Sequence, residues 1–174
     1  MEELGMKKKV LSVVAAAALV ASLTVPAWAA VASPYGGAEA EGGDATYTTQ
    51  AQTGEDSQAT QVYKTIQSAA STEEELNLLG DGLADEVQAQ LGGVSVNEYR
   101  AREIGSITVA GEGATTITLS NLAGVTAGTE GFVMYLGTDG QWHYLSVSFG
   151  NRSATFTVPY STTIILYVRS AAAV

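Results

Sequence analysis

The chain of 174 residues has no cysteine, one histidine, three prolines, and only 8 lysines and arginines against 18 aspartates and glutamates. Without cysteine there is no disulfide framework, no thiolate zinc site and no cysteine nucleophile. The one histidine, His143, leaves no second imidazole for a two-histidine metal site, and a serine–histidine–aspartate triad can be built only on that residue. A formal net charge of -10, with no clustered Lys and Arg to displace phosphate counterions, argues against nucleic acid as a partner. The same charge weighs against electrostatic attachment to anionic wall polymers or lipid headgroups. No glycine-rich loop runs into Lys-Ser or Lys-Thr to cradle a phosphate, and no Gly-x-Ser-x-Gly elbow occurs. Asp81, Asp85 and Glu86 lack the alternating order of a calcium loop and read as a solvated helix face. No catalytic constellation, metal site or cofactor is expected.

The chain begins with an export pattern. Lys7, Lys8 and Lys9 precede an uncharged apolar stretch from Val10 to Val25, and Pro26 then breaks the helix before Ala27-Trp28-Ala29. That order predicts a secretory signal over residues 1–29, cut after Ala29. The apolar run is short for a bilayer core of about 30 Å, so a retained anchor is the weaker reading. The protein is expected to be secreted, extracellular or loosely associated with a bacterial cell surface, with no membrane contact after cleavage.

Residues 30–57 are rich in Ala, Gly, Thr, Gln and acid and carry almost no aliphatic side chain, so composition predicts a disordered acidic linker. Residues 58–92 read as helical. Val62, Ile66 and Ala69 suggest a first, weaker helix, and Leu76, Leu79, Leu83, Val87 and Leu91 give one apolar stripe on a second, from Ser71 to Leu91. Thr72 followed by Glu75 has capping-box spacing, Glu73 to Glu75 suit the helix dipole, and Gly92-Gly93 ends the helix. Gly80 and Gly82 weaken its interior, so a surface to dock on is required.

From residue 93 to 174 the periodicity changes to two. Candidate strands are Ser95 to Ile104, Ser106 to Val109, Thr115 to Leu119, Gly131 to Leu136, Gln141 to Val147, Ser153 to Val158 and Thr162 to Val168. The predicted fold is therefore mainly β with a helical N-terminal appendage, an α+β chain: a small antiparallel β-sandwich of about six or seven strands preceded by one or two helices. With Asp139 and Gly140 as the centre of a type I′ turn, Leu136 pairs with His143. Phe132, Met134, Leu136, Leu145 and Val147 then form the core face, with the His143 ring against Leu136. Tyr135, Trp142 and Tyr144 stand together outside as a candidate ligand-binding face. A three-residue turn with a bulge would instead set Trp142 opposite Leu136 and bring it inward.

Ile107-Thr108-Val109, Val125-Thr126-Ala127-Gly128-Thr129, Val133-Met134-Tyr135-Leu136, Asp139-Gly140-Gln141-Trp142, Thr155-Phe156-Thr157-Val158 and Ile164-Ile165-Leu166-Tyr167-Val168 resemble the small β-sandwich modules that end many secreted and surface proteins of Gram-positive bacteria. The resemblance implies an architecture and a cell-surface setting, and brings no catalytic residues. It departs from the pattern in lacking a C-terminal sorting motif and a long repeat array. The expected function is a non-catalytic binding or structural module whose partner is an extracellular protein or polysaccharide. The alternative is a secreted hydrolase using His143 with Asp139, or with carboxylates around Glu98 and Glu103.

Overall fold

The computed structural model describes residues 39–41 and 45–170. The export signal and the first part of the expected linker lie outside them. Among the described residues, nine strands form two antiparallel sheets. They are β1 (Glu39–Glu41), β2 (Ala45–Thr49), β3 (Tyr99–Val109), β4 (Thr115–Ser120), β5 (Gly131–Leu136), β6 (Trp142–Ser146), β7 (Ser148–Gly150), β8 (Ser153–Val158) and β9 (Thr162–Arg169). Three helices, α1 (Gln58–Ser68), α2 (Thr72–Leu79) and α3 (Leu83–Gln90), precede β3. The five-stranded sheet has the order β2-β3-β9-β5-β6 and the four-stranded sheet β1-β4-β8-β7. The result is an α+β sandwich in three layers: helices, five-stranded sheet, four-stranded sheet.

The middle sheet is covered on both faces, which explains the unbroken apolar run of β9. Ile165 and Tyr167 point to the helices and pack with Ile66, Leu76, Val87 and Phe132; Ile164 and Leu166 point to the other sheet and pack with Ile117, Leu119, Phe156 and Val158. A strand buried on both sides needs no polar alternation.

β3 solves a harder problem. Tyr99 and Ala101 belong to the helix-facing core, yet Ile107, also odd-numbered, belongs to the core between the sheets. Strict alternation would put all three on one face. The register against β9 slips between Ala101 and Glu103, leaving Arg102 as the extra residue of a β-bulge, and the inward parity changes there. The two strands expected on either side of Gly105 are one, its register unbroken from Glu103 to Ile107, with a 3-10 turn over Val96–Glu98 in place of the expected strand start.

Two further expectations need correction. The chain from Ala45 to Thr49, assigned to the disordered linker, is an edge strand paired residue for residue with Val109 to Gly105, and Glu39–Glu41 pairs with β4. Docking on a preformed strand replaces the aliphatic content the segment lacks. Gly105 makes this approach feasible, because a Cβ there would sit 2.5 Å from both Thr48 O and the Tyr47 ring. The single helix from Ser71 to Leu91 is also two: Gly80 ends α2 and Gly82, at φ 74°, begins α3. Its cap shifts by one residue. Ser71 is the N-cap, accepting from Glu74 N, while Thr72 and Glu75 turn inward and are buried. Asp81, Asp85 and Glu86 are exposed, as a solvated face requires. No helix among the described residues is long and apolar enough to cross a membrane.

Candidate functional site

The hairpin of β5 and β6 decides the fate of the expected aromatic face. Gly137 N donates to Gln141 O at 2.7 Å and Gly140 N to Gly137 O at 3.0 Å, closing a three-residue loop with Gly140 at φ 78°. Leu136 therefore pairs with Trp142, Tyr135 with His143 and Met134 with Tyr144. The type I′ register is corrected by one residue, and the face splits. Trp142 turns to the helices and is 8% exposed; Tyr144 follows it and stacks on Phe132 with ring centroids 5.7 Å apart. Tyr135 points the other way, 5.3 Å from the His143 ring and 6.2 Å from Tyr160. Tyr135, Trp142 and Tyr144 thus do not form one surface.

His143 lies against Tyr135, not Leu136. Its Nε2 is 3.1 and 3.0 Å from the two oxygens of Asp139. Asp139 also accepts from Gln141 N, and that bond first, then the histidine, holds its carboxyl below the ordinary range. Gly137 lies beneath this pair, where a Cβ would sit 2.2 Å from Asp139 Oδ1 and the exposed Asp139 and His143 side chains would have to shift. Glu98 and Glu103 are not brought to His143: they begin on β3 or just before it, and β9 and β5 lie between β3 and β6. Near the hairpin turn, Ser106, Thr138, Tyr160, Ser161 and Thr162 line a shallow depression of about 420 Å³.

The larger concavity, about 940 Å³, lies at the opposite end of the middle sheet, where β3 begins, β9 ends and β5 begins. Three of the four arginines in the chain, Arg100, Arg102 and Arg169, line it with Glu98 and Glu130. Its far wall is the loop from Ala123 to Glu130. That wall is fixed: Leu122 N donates to Arg152 O, Arg152 N donates to Val125 O, and Leu122 and Val125 are buried in the sandwich core. Arg169 donates to Glu98 Oε2 through Nε at 3.0 Å and to Glu130 through Nη1, so both glutamates hold its charge in place and raise its pKa. Arg100 Nη1 donates to Asn97 O and Tyr99 O. Arg102 donates through Nη2 to Ala123 O at 3.0 Å, and its Nη1, buried and without a hydrogen-bond partner among the described residues, lies 4.0 Å from Glu103 Oε1.

Sequence reasoning missed this site because its arginines are dispersed along the chain. The available signal was Arg100-Ala101-Arg102, two cations at strand spacing in a chain that otherwise has so few. Among the described residues, no group of three or more His, Cys, Asp and Glu is placed to hold a metal. Comparison with known protein families, curated proteins and solved structures finds no match.

Proposed function

We propose that this chain is a non-catalytic binding module of the bacterial cell surface or extracellular space, exported on its N-terminal signal. The observation that carries the reading is the arginine-lined cleft: a fixed concavity of about 940 Å³ at one end of a sandwich, within the size range of ligand sites. Its polar groups are guanidinium forks, hydroxyls and the Glu98 and Glu130 carboxylates, donors and acceptors suited to holding a ligand. The hairpin supports the same reading from the other side, because the Asp139–His143 contact shapes a three-residue turn. The test is an array of extracellular polysaccharides and surface proteins probed with the full chain. A retained ligand competing for the cleft is expected, and an array that captures nothing sinks the reading.

One observation favours the hydrolase alternative: an imidazole held by a carboxylate at 3.0 Å beside a hydroxyl-lined depression. Hydrolysis of any array ligand by the wild-type chain, lost in His143→Ala, would replace the binding reading with that one.

A further inference from the structure

We propose that β6 is a dimer seam: it joins β6 of a second copy of this chain, antiparallel, and runs the two five-stranded sheets into one. The inference does not depend on what the cleft holds. β6 ends the sheet order, with β5 on one side and no strand on the other. Gly137 N donates to Gln141 O, so the bonded pairs with β5 fall at Tyr135–His143 and Val133–Leu145, as the alternation of an antiparallel ladder requires. Thr162 Oγ1 fits the same phase, donating to Leu136 O from the far side of β5. The N–H and C=O groups of Trp142, Tyr144 and Ser146 therefore point away from the sheet, where no backbone group among the described residues takes them.

Open sheet edges are normally guarded by charge, proline, short length or cover. The other three edges here are guarded. β1 carries Glu39 and Glu41, β7 has only three residues, and on β2 Gln52 Oε1 accepts from Thr49 N. β6 has none of these devices: from Gln141 to Phe149 the chain holds no Lys, Arg, Asp, Glu or Pro. The strand opens to solvent at the exposed Ser146 and the half-buried Tyr144 and Leu145.

Two features select a second copy over a foreign peptide. The first is order: β5 holds β6 extended before any partner arrives, so two copies pair without the ordering cost that a flexible peptide meets. The second is charge. In a chain of net charge -10 this edge carries no acid, so two acidic copies meet along it without like charges in direct contact, and a basic peptide finds no carboxylate on the strand to answer it. The repulsion that remains comes from outside the strand, from groups such as the exposed Asp85 and Glu86 on α3, the helix beside β6. A two-fold axis at Tyr144 sets that residue against its own counterpart and Trp142 against the partner's Ser146, so every outward N–H meets a C=O. Such a seam uses up the edge and closes at two copies. The dimer then carries the cleft twice, which strengthens retention of any ligand that repeats.

Analytical ultracentrifugation of the full chain over a range of concentrations tests this. A monomer–dimer equilibrium is expected, strengthened several-fold as sodium chloride rises from about 0.05 to about 0.5 M, because salt screens the like charges. Ser146→Pro removes an outward N–H, a change that an edge strand tolerates, and should weaken the dimer about tenfold or more. Ser146→Ala keeps that N–H, loses only an exposed hydroxyl and should stay within about twofold of wild type. If Ser146→Pro does not fold, amide hydrogen exchange of the wild-type chain decides: Tyr144 and Ser146 should be better protected at high concentration than at low, with Tyr47 on β2 unchanged. A chain that stays monomeric up to about 1 mM at high salt, a dimer indifferent to Ser146→Pro, or edge amides that ignore concentration overturns the proposal. So does a monomer whose edge amides are protected only by an added extended peptide, which would make the edge a site for a different partner.

Discussion

Each face of the five-stranded sheet buries a tyrosine–glutamate pair, and the two pairs differ in what stands behind the carboxylate. Toward the helices, Tyr167 OH donates at 3.0 Å to Oε2 of the fully buried Glu75, whose Oε1 has no hydrogen-bond partner among the described residues. Burial pushes the Glu75 carboxyl up to about 8, against the pull of the tyrosine bond and of the Arg100 charge. Toward the other sheet, Tyr47 OH donates at 3.3 Å to Glu103, which is 1% exposed and has Arg102 at 4.0 Å. Burial again dominates, but the nearby guanidinium limits the rise to about 7. In both pairs burial outweighs a tyrosine hydroxyl and a guanidinium together; the hydroxyl is the stronger restraint on Glu75 and the guanidinium the stronger on Glu103. This balance sets where each face is sensitive to pH.

The largest expected effect lies on the helix side. Trp142→Ala removes a ring that is 8% exposed from the core shared with Leu83, Phe132 and Tyr167. A loss of about 3–5 kcal/mol in urea denaturation is expected. A change below about 1 kcal/mol would mean that Trp142 is a surface residue after all and the hairpin register is wrong.

Next comes the pH dependence. Glu75 has a folded value of about 8 against an ordinary 4.5, so its contribution to stability is fully present below 4.5 and is lost as pH rises toward and through 8. At about 1.4 kcal/mol per pKa unit, wild-type stability should fall by a few kcal/mol between pH 5 and pH 9. Glu103 adds a smaller decline that ends near pH 7. In Glu75→Gln the decline should end near pH 7, the part above it having vanished; in Glu103→Gln it should be shallower below pH 7 and still run to about pH 8. Denaturation midpoints across this range measure both, and identical profiles for the two variants would break the comparison.

The smallest effect is expected at the hairpin. His143 is half exposed and its carboxylate partner lies on the surface, so His143→Ala should shift thermal unfolding within the scatter of surface substitutions, about 0.5 kcal/mol. A large loss would show that the turn contact holds the β5–β6 register.

These same residues show what could be read in advance. Periodicity and turn residues located Gly131–Leu136 and Ser153–Val158 to the residue: the first is a short apolar run that stops at Gly137, and the second alternates without interruption between Asn151 and Pro159. Reading failed where local pattern and tertiary context diverge. Asp139-Gly140 is compatible with a two- or a three-residue loop, and that single residue moves Trp142 from one face to the other. Gly105 makes one strand look like two, and nothing in Arg-Glu announces the change of phase at Arg102. The Thr-rich strand Ala45–Thr49 owes its order to its neighbour β3, which composition alone does not see. The cleft was hidden for the same reason: Arg100 and Arg169 are 69 positions apart and meet only through the pairing of β3 with β9.

The place of β9 also governs how the protein can be made. It is the last strand in the described chain, yet it lies between β3 and β5 and is the only connection between them in the sheet. A nascent chain halted before Thr162 holds two separate strand pairs, β2 with β3 and β5 with β6, with no middle to join them and no complete wall for the helices to rest on. Contacts that span so much sequence close slowly. Both cores take residues from β9, Ile165 and Tyr167 on one face and Ile164 and Leu166 on the other, so each is complete only when that strand has joined. Until β9 is in place, the five-stranded sheet is two halves without a keystone.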